Sequence, residues 1–200
     1  ELAEHYIYQV ELLDATTFVK ARFKNDLEQS IEVKSQLIGT YNFNNIMTAI
    51  VIGQYFKVSP LKIKAAIENY IPSNNRSQVI RHGSNTFILD AYNANPTSMR
   101  NALNYFHNYP AANKIAILGD MLELGKASEK EHQNIINQIE KLNLQQIILV
   151  GKEFEQCHSK HTHFVNIDEV KAWYSQQTFE DTSFLIKGSR GIKLELLLKE

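Results

Sequence analysis

The sequence predicts an α/β fold: a mostly parallel six-stranded sheet with helices on both faces, preceded by a smaller β-plus-helix region. Three observations carry this. From Ser77 onward, short apolar runs alternate with amphipathic helical stretches, the pattern of consecutive βαβ units. Those runs are apolar throughout, as in Phe87-Ile88-Leu89, which suits strands covered on both faces. Before Ser77 a period of two dominates, with Val19, Ala21 and Phe23 set against Lys20, Arg22 and Lys24.

Taken in order, residues 5–36 read as antiparallel β structure. Asn25-Asp26 is a turn signal, and Ile31 and Val33 alternate with Glu32 and Lys34 beyond it. The first residues carry no helix pattern or cap, as expected of a chain cut from something longer. Gly39, Asn42, Asn44 and Asn45 then precede an apolar helix from about Ile46 to Phe56. Their side chains can cap that helix, or offer amide donors and acceptors to a planar polar ligand such as adenine; both uses are open. A second helix is expected with Ser59 as cap, Pro60 in first position, and Leu61, Ile63, Ala66, Ile67 and Tyr70 turned inward. Pro72-Ser73-Asn74-Asn75 reads as a linker and divides the chain into domains at 1–75 and 76–200. Arg76, just beyond, is either a solvated surface residue or a group that reaches a phosphate from a hinge.

In the second domain, strands are expected at 78–82, 86–90, 114–118, 146–150, 162–166 and 183–187. Helices are expected at 96–108, 128–142, 153–159, 168–175 and 190–199. Asn95 is a good N-cap and Pro96 suits the first helical position, where its missing N–H has no partner to lose. Met99, Ala102, Leu103 and Phe106 share one face of that helix. Ser128 and Glu131 have the spacing of a capping box, with Ile135, Ile136, Ile139 and Leu142 on the buried face.

Composition narrows the function classes. The apolar fraction is 44% and the charged fraction 22%, ordinary for a water-soluble globular chain. Lys and Arg number 21 against 22 acidic residues, so no basic stripe points to nucleic acid. Cys157 is the only cysteine, which excludes an intrachain disulfide and suits a reducing compartment. No apolar run approaches about 18 residues, and no signal peptide is apparent. A cytoplasmic protein without membrane insertion is expected.

The residue that draws most attention is Asp90. It ends a buried strand just before a helix start, at the sheet edge where ligands of open α/β folds bind. It can accept hydrogen bonds from ribose hydroxyls, or it is a plain turn aspartate. Replacing it by alanine is expected to leave the fold intact, since Asn95 and Pro96 still start the helix. The stretch AILGDMLELGK, residues 116–126, follows a strand and ends in Gly-Lys. Five residues separate Gly119 from Gly125 where a P-loop has four, and Ala127 stands where Ser or Thr would ligate magnesium, so the P-loop reading fails. Asp120 and Glu123 remain as carboxylates on the same edge as Asp90. Lys187-Gly188-Ser189-Arg190-Gly191 sits between the last strand and the last expected helix. It offers backbone N–H groups and two cations to a carboxylate or phosphate, or its glycines simply serve a turn. Cys157, His158, His161 and His163 fit no common zinc spacing, and no metal site is expected.

GTYNFNN, NNRSQ, DAYNANPTSM, LGDMLELG with His132 after it, and KGSRG, in this order, resemble the Mur ligases of peptidoglycan synthesis. The likeness runs from about Leu37 to the C-terminus. It is nearest to the branch that adds D-alanyl-D-alanine to UDP-N-acetylmuramoyl-tripeptide. The resemblance implies the tail of a central ATP-binding domain followed by a Rossmann-like C-terminal domain. It implies ATP and Mg²⁺ as cofactors, and these two substrates as partners of a monomer. Asn42 and Asn45 would lie near the adenine. Arg76, the expected catalytic residue, would reach the ATP phosphates across the hinge. Asp90 would hold the ribose, with Tyr92, Asn93 and Asn95 around the nucleotide. Asp120, Glu123, Lys187, Ser189 and Arg190 would face the incoming dipeptide. The family's P-loop, metal ligands and modified lysine have no counterpart in the chain, which alone is expected to be inactive. A sister ligase, a folylpolyglutamate synthase-like enzyme, and a non-catalytic binding module remain as alternatives.

Overall fold

The structure is a computed structural model that describes residues 10–142 and 144–198. The β structure expected at 5–9 and the last residue of the helix expected at 190–199 fall outside the described residues. The chain forms two compact units, Glu1–Pro72 and Ser73–Glu200.

In the first unit, β1 (Val10–Asp14), β2 (Phe18–Lys24) and β3 (Ser30–Ile38) form an antiparallel meander in that order. A 3₁₀ turn, Thr40–Asn42, leads into α1 (Phe43–Tyr55), and α2 (Pro60–Asn69) follows. Period-two alternation puts Val19, Ala21, Phe23 and Val33 on one sheet face, where they pack against Ile46, Ile50, Ile63 and Ile67. α1 starts three residues before the expected Ile46. The asparagine side chains do not cap it, because the preceding 3₁₀ turn supplies a carbonyl acceptor, Thr40 C=O, to the first N–H of the helix, that of Phe43. Ser59 caps α2 through its backbone carbonyl, which accepts the Lys62 and Ile63 N–H groups, and not through its hydroxyl. Leu61 is 74% and Tyr70 55% exposed, and Ala66 is exposed too. Leu61 lies about 200° around the helix from Ile63, and Tyr70 falls beyond the last turn, so only Ile63 and Ile67 share the inward stripe.

The second unit carries a six-stranded sheet of order β4-β5-β9-β6-β7-β8. β4 (Gln78–His82) runs antiparallel to β5 (Asn85–Asp90). From β5 across β9 (Thr182–Lys187), β6 (Asn113–Gly119), β7 (Gln146–Val150) and β8 (Thr162–Phe164), all neighbours are parallel. The helices are α3 (Pro96–Asn108), α4 (Ser128–Ile139), α5 (Lys152–Glu155) and α6 (Ile167–Tyr174). Phe87, Leu89, Ile115, Ile117, Phe184 and Ile186 pack on one side with Ile167 and Val170 of α6 and with Leu194 and Leu197. The alternate residues Ile88, Ala116, Leu118, Leu149 and Leu185 are buried as well, as are Met99, Leu103 and Phe106 of α3 and Ile135, Ile136 and Ile139 of α4.

The expected strands are all present, though β8 stops two residues short of the expected 166. Asn95 and Ser98 form a reciprocal capping box at α3. Four expectations need correction. α4 ends at Ile139 rather than 142. Ser128 is no cap, because α4 is entered from the 3₁₀ turn Gly125–Ala127 and Ser128 already lies inside its first turn. α5 is a single turn. The stretch after β9 is two 3₁₀ segments, Arg190–Ile192 and Leu194–Leu198, and not an α-helix. Lys193 between them sits at φ +60°, a left-handed conformation that no α-helix continues through.

Candidate functional site

Parallel pairing brings the C-terminal ends of β5, β9 and β6 to one edge of the sheet, side by side. Asp90 and Lys187 are register partners there, and Gly119 ends the next strand. Gly188 approaches so closely that a Cβ on it would lie 2.9 Å from the Gly119 Cα. Gly188 therefore serves close packing at this position.

Asp90 is half-buried, and each of its carboxylate oxygens accepts one hydrogen bond. Its Oδ2 accepts from Lys187 Nζ at 2.6 Å, and its Oδ1 accepts the Ser77 N–H at 3.2 Å. Lys187 also donates to the Asn93 carbonyl at 3.1 Å and is only 1% exposed. Lys187 is therefore turned toward Asp90 and away from solvent. It neutralises Asp90 from below, because an ammonium taken out of water needs a carboxylate beside it. The same contact revises the expectation for Asp90→Ala, which would leave Lys187 buried without its counter-charge.

Tyr92, two residues beyond Asp90, is approached by two arginines. The Arg76 guanidinium carbon is 3.9 Å from the centroid of the Tyr92 ring, and that of Arg190 is 5.5 Å away. Both arginines are exposed, and neither makes an ion pair with a described residue. Two guanidinium groups free to form forked bonds and held against one ring suit a phosphate or carboxylate. Asn93 is exposed beside them. Asn95 is exposed too, but its side-chain oxygen is used as the α3 cap.

Asp120 is a further correction. It was expected on the open edge, yet it is 2% exposed. Its carboxylate accepts the Glu153 N–H and the Phe154 N–H, both at 3.0 Å, at the start of α5. Burial pushes its pKa up, and those two hydrogen bonds oppose the rise. Gly151 allows this contact: its φ is +123°, and a Cβ there would lie 2.1 Å from Asp120 Oδ2. Ser189 is buried as well. Its Oγ accepts the Leu122 N–H at 2.9 Å, and its N–H donates to the Asp120 carbonyl at 3.0 Å. Of the five residues expected to face the dipeptide, only Glu123 and Arg190 are exposed. Glu123 adopts φ +71°.

In the first unit, Asn42 is buried. Its Nδ2 donates to the Ile38 carbonyl at 2.8 Å and its Oδ1 accepts from Asn45 Nδ2 at 2.9 Å. Its amide holds the turn into α1, and Asn45 is the exposed one of the two. The histidines near Cys157 go separate ways. His163 bonds the Gly151 carbonyl, and the Cys157 thiol points at the carbonyls of Glu129 and Glu153, its pKa pushed up by burial. Among the described residues no three His, Cys, Asp or Glu side chains gather as a metal cluster.

His132, named above only as part of the family likeness, is 0% exposed. Its Nε2 accepts the Met121 N–H at 2.9 Å, and its Nδ1 faces the Ser128 carbonyl at 2.8 Å. An acceptor at Nε2 and a donor at Nδ1 define one neutral tautomer, so the nearby Asp120 Oδ1, 3.8 Å from Nε2, is not a salt-bridge partner. The signal was available: His132, Ile135, Ile136 and Ile139 stand at i, i+3, i+4 and i+7.

Residues 75–190 match the family described as Mur ligase, glutamate ligase domain. The chain is 31% identical over 176 residues to the UDP-N-acetylmuramoyl-tripeptide–D-alanyl-D-alanine ligase of Buchnera aphidicola subsp. Baizongia pistaciae, covering 85% of this chain and 38% of that protein. It is 28% identical over 177 residues to the Bacillus subtilis ligase of the same name, again 38% of that protein. In structure it resembles MurF from Acinetobacter baumannii, with a TM-score of 0.81 and 27% identity, covering 95% of this chain and 43% of that one. It shares the fold of Thermotoga maritima MurF in complex with ADP at a TM-score of 0.77 and 18% identity, covering 96% and 45%. The chain spans about two fifths of the length of the curated relatives it matches.

Proposed function

The chain belongs to the Mur ligase family, and we propose that it is the C-terminal part of a cytoplasmic, monomeric ligase that joins D-alanyl-D-alanine to UDP-N-acetylmuramoyl-tripeptide with ATP. The names of its relatives support the substrates. One observation on the chain itself carries the site: two exposed arginines without ion-pair partners among the described residues meet on Tyr92, next to a carboxylate at the end of β5.

In this reading ATP phosphorylates the terminal carboxylate of the tripeptide, giving an acyl phosphate and ADP. The amine of D-alanyl-D-alanine attacks the acyl carbon, loses a proton, and inorganic phosphate leaves. The chain contributes positioning and charge. Arg76, oriented by Tyr92, opposes negative charge on the transferred phosphoryl group, and Arg190 reinforces that field. Asp90 accepts ribose hydroxyls with lone pairs not used by Lys187 and Ser77, since a carboxylate has about four acceptor sites. Asn93 and the amide nitrogen of Asn95 flank the nucleotide. Glu123 and the Ser189–Arg190 turn are left to meet the dipeptide. Mg²⁺ accompanies ATP, and no residue of the chain is assigned to it.

The test is ligation by the full-length polypeptide that carries this chain, with ATP, UDP-N-acetylmuramoyl-tripeptide and a panel of amines. Amide formation confined to D-alanyl-D-alanine supports the reading. A preference for a single amino acid points to a sister ligase, and absence of ATP turnover points to a binding module.

A further inference from the structure

We infer that His132 is a positioning residue: as a neutral acceptor in the core it fixes the segment Asp120–Leu122, and through it the Ser189–Arg190 turn. The inference deepens the proposed function and rests on it only for its kinetic consequence.

Each N–H of the segment has its own fixed acceptor. That of Asp120 donates to the Val150 carbonyl at 3.0 Å, that of Met121 to His132 Nε2 at 2.9 Å, and that of Leu122 to Ser189 Oγ at 2.9 Å. The Asp120 carbonyl accepts the Ser189 N–H at 3.0 Å. Ser189 is thus held twice by the segment, before and after Met121. Arg190, the next residue, carries one of the two guanidinium groups at Tyr92. The Met121 side chain is 0% exposed, so the segment cannot turn outward to find water for its N–H. Among the described residues, nothing but the imidazole lone pair serves that donor. The ring is fixed in turn. Nδ1 faces the Ser128 carbonyl, and the Phe154 ring meets the imidazole edge-on with centroids 4.6 Å apart. The charged groups around it are Asp120, 3.8 Å from Nε2, and Glu153, which bonds the Ser128 hydroxyl.

A structural histidine that merely fills space is replaceable by an apolar residue of similar size. A positioning histidine is replaceable by a residue that keeps an acceptor where Nε2 stands. His132→Leu and His132→Gln therefore form the test, read by amide hydrogen exchange on the 200-residue chain and by steady-state kinetics on the full-length polypeptide. In His132→Leu the Met121, Leu122 and Ser189 amides are expected to exchange at least about tenfold faster, while the Ile117 and Leu185 amides in the sheet keep their protection. In His132→Gln, protection at all three is expected to stay within about threefold of the parent. In the full-length polypeptide His132→Leu is expected to raise KM for D-alanyl-D-alanine about tenfold, with restoration by Gln. Unchanged exchange at Leu122 and Ser189 overturns the inference, and so does equal loss of protection throughout the sheet in both variants. If the parent full-length polypeptide forms no amide bond, the functional reading fails while the exchange result still decides the role of His132.

Discussion

Lys187 Nζ stands 2.6 Å from Asp90 Oδ2, between register partners on adjacent parallel strands, and the lysine is 1% exposed. The pair places one charge in the interior and leaves the other, its side chain 17% exposed, at the rim.

Asp90→Ala is expected to lower stability by about 3 kcal/mol, because removing one partner of a buried pair strands the other. Asp90→Ala combined with Lys187→Met is expected to regain at least half of that loss. Urea unfolding of the two variants checks it. In the full-length polypeptide the double variant, folded but without the carboxylate, is expected to use ATP roughly 10- to 100-fold less well, about 1.4–2.8 kcal/mol. Unchanged ATP kinetics in the double variant would show Asp90 to be structural only.

Tyr92→Ala is expected to leave thermal stability nearly unchanged, since the ring is partly exposed and packs on arginines rather than in the core. It removes a cation–π contact of about 1 kcal/mol from Arg76. The ATP KM of the full-length polypeptide should therefore rise about fivefold, and Tyr92→Phe should restore it. Arg76→Lys should not match the parent, because an ammonium lacks the planar fork.

Asp120 binds its proton more tightly in the folded chain than in the unfolded one, because burial disfavours the charged form. Its contribution to stability is complete below the ordinary value of 3.8 and declines as pH rises through the higher folded value. Asp120→Asn abolishes that titration. The stability of the parent minus that of Asp120→Asn should fall as pH rises above the ordinary aspartate value of 3.8. Parallel urea midpoints across this range would show that Asp120 does not titrate there.

Gly151→Ala is expected to cost about 2–3 kcal/mol, combining a disfavoured φ with a collision against the Asp120 carboxylate. Adding Asp120→Ala removes the collision but not the backbone strain, so the two changes should be non-additive. A double-mutant cycle by thermal unfolding measures this.

The 200-residue chain by itself is expected neither to hydrolyse ATP nor to form an amide, since its sequence holds no P-loop. Phosphate release above background from the purified chain would refute this.

Much of the second unit was legible because its signals are local. Phe87–Leu89 and Ile115–Leu118 are apolar without interruption, and Asn95-Pro96 starts α3 where read. The candidate site was legible in place but not in role. Lys187 and Asp120 carry charge, and a charged residue at a strand end reads as facing solvent. What buries Lys187 is a carboxylate 97 positions away, and what buries Asp120 is the start of a one-turn helix 33 positions away. Neither distance leaves a periodic trace in the sequence. Leu61 and Tyr70 differ for the opposite reason: both are apolar, but neither shares the inward stripe of Ile63 and Ile67, so apolar character alone does not bury them.

The strand order has a consequence for synthesis. β9 lies at the centre of the sheet, between β5 and β6, yet it follows all the sheet's other strands in the chain. As the nascent chain emerges, β4–β5 and β6–β7–β8 can pair only as two half-sheets, each with an apolar edge that waits for residues 182–187. The decisive closure is a long-range event, delayed until translation has passed residue 187. A ribosome stalled before that point holds two unjoined halves for chaperones to shield, and the carboxylate of Asp90 still without its lysine.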